Sequence, residues 1–361
     1  MQQFYLLFVI ILCWGLIGEQ ASAKMRFDDC LNCTPAEIID FLEKTSTPNS
    51  SFSLTRDSKT PQNKSKVLLL HGLTDSPYYL KDIAKSLYFE GYDVFVPLLS
   101  GHGKDEKTMG QINYEQWLSE TKNIIHDLTA DGQPLILGGF SNGGLLSSVL
   151  VKDIEIQNKI KMLLLFAPAL EISTSFASKF ILSILRGARK WISASNRIFL
   201  KNYYDRIRNF SLFNDWCPEC SAHVKNKTLP LNGPLQVYNN IRDNIKTDTS
   251  IKIPTVLVMT GNDSVIDSNR VVTSFTKFFN SEFNHIFWLT AEGDKSAPPK
   301  LSPEKLTLIP SSANISHSGL MFETNEYGRL AEVNPEFHSL QENIITTMNS
   351  ISKRILCKNF Y

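Results

Sequence analysis

An excess of charge of either sign is missing: 37 Lys and Arg stand against 36 Asp and Glu, a formal net charge of +1 over 361 residues. A chain so balanced has no global pull toward nucleic acid. It also lacks a basic N-terminus, since Met1-Gln2-Gln3 carries no Lys or Arg. The apolar run that follows, Phe4 to Ile17, is shorter than the roughly 20 residues a membrane-spanning helix needs. No internal repeat is visible, which sets aside solenoids and propellers. What remains is a hydrophobic content of 42% and a charged content of 20%, those of an ordinary globular protein. The length suits one large α/β domain or two small ones.

The first residues read as a targeting segment. The run Phe4 to Ile17, then Gly18-Glu19-Gln20 and the A-x-A ending Ala21-Ser22-Ala23, have the form of a secretory signal peptide, residues 1–23, cut before Lys24. The expected destination is secreted or periplasmic, and an uncleaved N-terminal membrane anchor is the alternative because the basic n-region is missing. Removing the signal leaves Cys30, Cys33, Cys217, Cys220 and Cys357. Two C-x-x-C pairs in an exported chain point to disulfides. A four-thiolate zinc site and a redox dithiol are the other readings, and Cys357 is left over.

Residues 24–65 read as a short helix and a polar linker. Thr34, Pro35 and Glu37 form a capping box at the helix start, and one short strand fits near Phe52 to Leu54. From Lys66 the pattern changes. Apolar runs at Lys66–Leu70, Asp93–Leu98, Pro134–Leu137 and Ile160–Phe166 alternate with helical patterns near Tyr78–Glu90, Tyr114–Leu128 and Gly143–Leu150. That alternation predicts an α/β domain over 66–361, with a mostly parallel, doubly wound sheet. The rhythm breaks between Ala169 and Leu235, where 10 Lys or Arg face 4 Asp or Glu and apolar residues recur at helical spacing. This segment is expected to be a helical cap, packed on the core or offering an apolar, basic face to a membrane surface. The sheet resumes at Thr255–Met259, with a helix near Ser268–Asn280 and a strand at Ile286–Leu289. A polar insertion, Ala291–Pro303, precedes a strand at Leu306–Ile309, and a helix near Pro335–Ile355 closes the chain.

At the centre lies G-F-S-N-G, Gly139 to Gly143. It joins an apolar strand to a helix of small residues, the setting of a nucleophile elbow, where a serine is presented on a sharp turn and the glycines let strand and helix come close. Serine needs a base to take its proton, and the base needs a carboxylate to orient it. The chain order Ser141, Asp263, His317 is that of one hydrolase architecture, with Asp263 in a loop after a buried strand and Asp267 as the fallback acid. His285 and His338 read as structural or surface residues. Oxyanion donors are expected from the backbone amides of Leu73 and Asn142. His71 and His102 read as braces for their loops.

These motifs together, H-G-L-T-D-S-P at His71, P-L-L-S-G-H-G at Pro97, G-F-S-N-G at Gly139, G-N-D-S-V-I-D at Gly261 and S-H-S-G at Ser316, resemble α/β-hydrolases of the monoacylglycerol lipase, lysophospholipase and carboxylesterase group. The resemblance covers roughly 66–355. It implies the α/β-hydrolase fold, a Ser-Asp-His acyl hydrolase without metal or organic cofactor, a small-molecule or lipid ester as substrate, and a cap inserted after the sixth strand. Little sequence precedes Val67 for the two strands such folds carry there, and the Ala291–Pro303 insertion is unusual. A peptidase or thioesterase on the same triad, and a non-catalytic lipid-binding protein, are the competing functions.

Overall fold

A computed structural model describes residues 23–26, 50–56, 65–103, 106–173, 230, 232–245, 250–322 and 334–358. The expected signal segment before Ala23, the capping box at Thr34, the two C-x-x-C pairs and most of the cap lie outside the described residues.

Among the described residues nine strands form one sheet in the order β1-β2-β4-β3-β5-β6-β7-β8-β9. They are β1 (Ala23–Arg26), β2 (Phe52–Thr55), β3 (Lys66–Leu70), β4 (Asp93–Val96), β5 (Leu135–Phe140), β6 (Ile160–Phe166), β7 (Thr255–Thr260), β8 (His285–Thr290) and β9 (Leu306–Pro310). Only the β2–β4 pair is antiparallel. The sequence singled out β2 but not β1. Ala23–Arg26 pairs in parallel with Phe52–Thr55, so both strands before Val67 are present. Four residues without a period-2 pattern gave no signal of their own, and pairing to β2 is what defines them.

The helices are α1 (Lys81–Phe89), α2 (Glu106–Gln111), α3 (Tyr114–Leu128), α4 (Asn142–Leu150), α5 (Ile154–Gln157), α6 (Asn232–Asn240), α7 (Ser268–Phe278) and α8 (Phe337–Lys358). None of them is long and apolar enough to cross a membrane. The start of α3 follows its chemistry: the Asn113 side chain accepts from Gln116 N–H while the Gln116 side chain accepts from Asn113 N–H, a reciprocal cap. Strands β3, β5, β6 and β7 are buried along almost their whole length, as expected where helices cover both faces of a parallel sheet.

Helix α4 is the central one. Every residue in it is buried, and its approach to the sheet is set by glycine. A Cβ on Gly143 would stand 2.0 Å from the Leu70 carbonyl oxygen, and one on Gly139 would stand 2.4 Å from the Gly143 carbonyl carbon. The first turn of α4 is therefore pressed against the carboxyl end of β3, which places the loop after β3 beside the helix N-terminus. The Ala291–Pro303 insertion is not a free excursion. Ser296 N–H donates to the Gly261 carbonyl at 2.8 Å, and the Asp294 carboxylate accepts from Ala291 N–H, so the insertion buttresses the loop that carries Asp263. Cys357, the leftover cysteine, is a free, exposed thiol.

The close approach makes a direct prediction. Gly143→Ala should destabilise the protein by about 3 kcal/mol or more, at the upper end of overpacking costs, because the clash is with backbone. Thermal unfolding of the variant measures this; a melting temperature equal to wild type would contradict it.

Candidate active site

Ser141 sits between β5 and α4 at φ 53°, ψ −114°. A non-glycine residue held at positive φ costs about 1–3 kcal/mol and persists only where its surroundings enforce it. Here they do: Ser141 N–H donates to the Phe166 carbonyl, and the Ser141 carbonyl accepts from both Leu145 N–H and Ala169 N–H. The side chain is thereby lifted off the carboxyl edge of the sheet, where ligands bind in open α/β folds.

His317 arrives from the loop after β9. Its Nδ1–H donates to Asp263 Oδ2 at 2.6 Å, with the Asp263 side chain fully buried. The other carboxylate oxygen accepts from the amides of Val265 and Ile266, both at 2.8 Å. Asp263 is thus held by three donors, which keeps a buried carboxylate supplied with partners. Asp267, the fallback acid, does something else: its side chain caps α7 by accepting from Arg270 N–H. The His317 loop is fastened in turn by Thr260, whose hydroxyl donates to the Ile315 carbonyl. With Nδ1 carrying the proton, Nε2 is left as an acceptor, and it is buried without a hydrogen-bond partner.

An aromatic row places His317 against Phe140, the neighbour of Ser141, and no hydrogen bond joins Ser141 Oγ to His317 Nε2. The His317 ring lies 4.7 Å from that of Phe140; Phe140 stacks on Tyr79 at 5.5 Å, and Tyr79 meets Phe322 edge-on at 4.4 Å. Burial pushes the Tyr79 phenol well above its usual 10.0, with the charge of Asp75 adding to the effect, so it stays neutral. The sequence reading did not name Tyr79 or Phe140. Their only signals were the residue between Gly139 and Ser141 and the tyrosine two places after Pro77.

The loop after β3 is braced by two buried histidines. His71 Nε2 accepts from Leu99 N–H at 3.1 Å, which leaves Nδ1–H to donate to the Gly72 carbonyl at 2.9 Å. His102 reaches back across the gap, its Nε2–H donating to the Leu73 carbonyl at 2.7 Å. The two rings meet edge to face at 4.6 Å. Both residues thus brace the loop that carries Leu73. The His71 carbonyl lies against the first turn of α4, 2.8 Å from where a Cβ on Gly143 would stand, so Leu73 and Asn142 come from adjoining segments. As first residue of α4, Asn142 has an amide with no partner inside the helix, at its positive end.

Two other histidines make contacts away from Ser141. His285 links β8 to β9 through the Thr307 hydroxyl at 2.9 Å and the Glu304 carbonyl at 3.1 Å, and His338 packs against Phe337. Among the described residues no group of three or more His, Cys, Asp or Glu is placed to hold a metal ion.

The histidine brace is sensitive to acid. Burial drives the His71 pKa well below 6.5 and lowers that of His102. The unfolded chain therefore binds more protons than the folded one between the depressed values and about 6.5, and stability is lost as pH falls through that window. Protonating His71 at Nε2 would also break its bond to Leu99. The melting temperature should fall from about pH 7.5 to about pH 5.5, and His71→Asn should flatten that slope; a variant that declines in parallel with wild type would contradict the assignment.

Comparison with known proteins gives the family and the fold. The profile of the family described as Serine aminopeptidase, S33 matches residues 61–282, more than half of the chain. A thermostable monoacylglycerol lipase of Bacillus sp. (strain H-257) is 30% identical over 86 residues, which cover 24% of this chain and 34% of that one. The chain thus aligns with about a third of that relative's length. Among solved structures, a soluble variant of monoglyceride lipase from Saccharomyces cerevisiae superposes with TM-score 0.57 at 14% identity, over 83% of this chain and 91% of that one. A structure from a study of the metagenome-derived lipolytic enzymes LipS and LipT gives 0.55 at 13% identity, over 85% and 98%. Such distant likenesses fix the fold, and the family profile fixes the kinship: the chain has the α/β-hydrolase fold and belongs to the Serine aminopeptidase, S33 family.

Proposed function

We propose that the protein is a serine hydrolase cleaving carboxylic esters, in particular those of monoacyl lipids, with Ser141 as nucleophile, His317 as base and Asp263 as its orienting acid. One observation carries the reading above the others. Ser141 is strained at φ 53° at the sheet's carboxyl edge, one residue from the ring against which the Asp263-bound His317 packs. Strain of this kind at a nucleophile is stored to expose it, and it has no structural use here.

In this reading Ser141 Oγ attacks the ester carbonyl as its proton passes to His317 Nε2. The imidazolium so formed is stabilised by Asp263, and the oxyanion is held by the Leu73 and Asn142 amides. Collapse expels the alcohol, which takes the proton from Nε2, and leaves the acyl group on Ser141. Water then repeats the sequence, with Nε2 accepting its proton and returning it to Ser141. No metal or organic cofactor enters any of these steps. A non-catalytic lipid-binding protein would have no use for the strained serine or for the His317–Asp263 pair. The monoacyl substrate is suggested by the names of the two monoglyceride lipases above and by the apolar, basic composition of the 169–235 segment, which would meet a lipid surface. Export through residues 1–23 completes the reading.

The test is hydrolysis of p-nitrophenyl esters of increasing acyl length by wild type, Ser141→Ala, Asp263→Asn and Asp267→Asn. Wild type should peak at medium or long chains. Ser141→Ala and Asp263→Asn should lose about 10⁴-fold in kcat, and Asp267→Asn should lose little beyond the effect of a missing helix cap. Activity surviving in Ser141→Ala would overturn the mechanism. Cleavage of aminoacyl amides in preference to esters would move the substrate to peptides while keeping the triad.

A further inference from the structure

Tyr79 sits where three parts of the candidate site meet. It belongs to a short helical turn, Pro77–Leu80, that follows the loop after β3, and its N–H donates to the Ser76 carbonyl at 3.0 Å. The residue is buried. Its ring stacks on Phe140 at 5.5 Å and 23°, and Phe140 in turn packs against the His317 ring. Phe322 meets the Tyr79 ring edge-on, while the Ser318 side chain approaches the phenol oxygen and offsets part of the upward pKa shift that burial causes. Ser318 and Phe322 bracket one stiff piece of chain. The turn Gly319–Met321 lies between them, closed by bonds from Met321 N–H to the Ser318 carbonyl at 3.0 Å and from Phe322 N–H to the Gly319 carbonyl at 3.4 Å. Tyr79 therefore touches both ends of the segment that begins one residue after His317.

Resting on the ester-hydrolase reading, we propose that Tyr79 is a positioning residue: with its ring held between Phe140 and Phe322, it sets where His317 stands relative to Ser141 and so how efficiently the proton passes between them. The site shows why such a group is needed. Asp263 holds His317 only at Nδ1, and Nε2 has no hydrogen bond to Ser141. Catalytic hydrogen bonds that are long in the free enzyme tighten when substrate arrives, and that closing movement is productive only if the ring is guided to the right place. Phe140 is the surface the imidazole lies against, and Tyr79 backs Phe140 while it fixes the His317 loop through Ser318 and Phe322. An aliphatic side chain of similar volume would fill the space. It would lack the flat face that stacks on Phe140 and the geometry of the edge contact with Phe322.

The experiment measures kcat per folded molecule and KM on p-nitrophenyl butyrate for wild type, Tyr79→Met, Tyr79→Phe and a core control, Ile351→Ala. Ile351 is buried in α8, two residues beyond Asn349, whose side chain accepts from the Tyr92 hydroxyl just before β4, at the end of the sheet opposite Ser141. Tyr79→Met should lose about tenfold or more in kcat with KM changed less than about twofold, and Tyr79→Phe, which keeps the ring, should stay within about threefold of wild type. Ile351→Ala should melt at a lower temperature and keep its kcat. Should Tyr79→Met fail to fold, Phe322→Leu, which releases the same ring on its other side, takes its place with the same expectation. A folded Tyr79→Met with wild-type kcat, a change in KM alone, an equal loss in Tyr79→Phe, or an equal loss in Ile351→Ala overturns the proposal. A wild type that cleaves no ester contradicts the ester-hydrolase reading itself, whereas failure of the positioning role shows only among variants of an active wild type.

Discussion

The structure depends on the contact between α4 and the carboxyl end of β3. Gly143 lies against the Leu70 carbonyl at a separation no side chain would permit, and Gly139 lies equally close to Gly143. From that approach follow the sharp turn at Ser141, its positive φ, and the adjacency of the helix N-terminus to the His71–Asp75 loop. The close packing costs strain at one residue. The bond Ser141 N–H donates to the Phe166 carbonyl, and the two its carbonyl accepts from Leu145 and Ala169 N–H, offset it.

Around this fixed centre the other groups are held by loops that brace one another. The Asp263 loop is secured by its own Val265 and Ile266 amides and by Ser296 of the insertion. The His317 loop is tied to β7 by Thr260, and the loop after β3 is tied to the loop after β4 by the two buried histidines. Preorganisation of this kind is what electrostatic catalysis requires, because donors already in place do not have to reorganise when charge develops. It also explains why so many polar side chains at this end of the sheet are buried: they serve geometry before they serve solubility.

Much of this was legible in the sequence. Strands β3 to β9 are legible as short apolar-rich runs, and α3 lies where the helical pattern near Tyr114–Leu128 places it. Ser141, Asp263 and His317 stand out as candidates because each sits in a short motif after a strand, and the structure does place each in a turn or loop following β5, β7 or β9. Pattern alone does not separate Asp263 from Asp267, since both follow β7; in the structure Asp263 bonds His317 and Asp267 caps α7. β1 was missed because it is a strand only by virtue of its neighbour. The aromatic row Phe322–Tyr79–Phe140–His317 could not be foreseen from residues so far apart in the chain. The role of the 291–303 insertion was hidden for the same reason, since it reads as a polar loop until its contact with Gly261 is seen.

The central claim is that Ser141 is a nucleophile activated by His317. Its most direct measurement is intact-mass and peptide mass spectrometry of the protein treated with an alkyl fluorophosphonate, beside His317→Ala. The account predicts a single adduct, on Ser141, formed rapidly in wild type and slowly or not at all in His317→Ala. An unlabelled wild type, or an adduct on another residue, would contradict it.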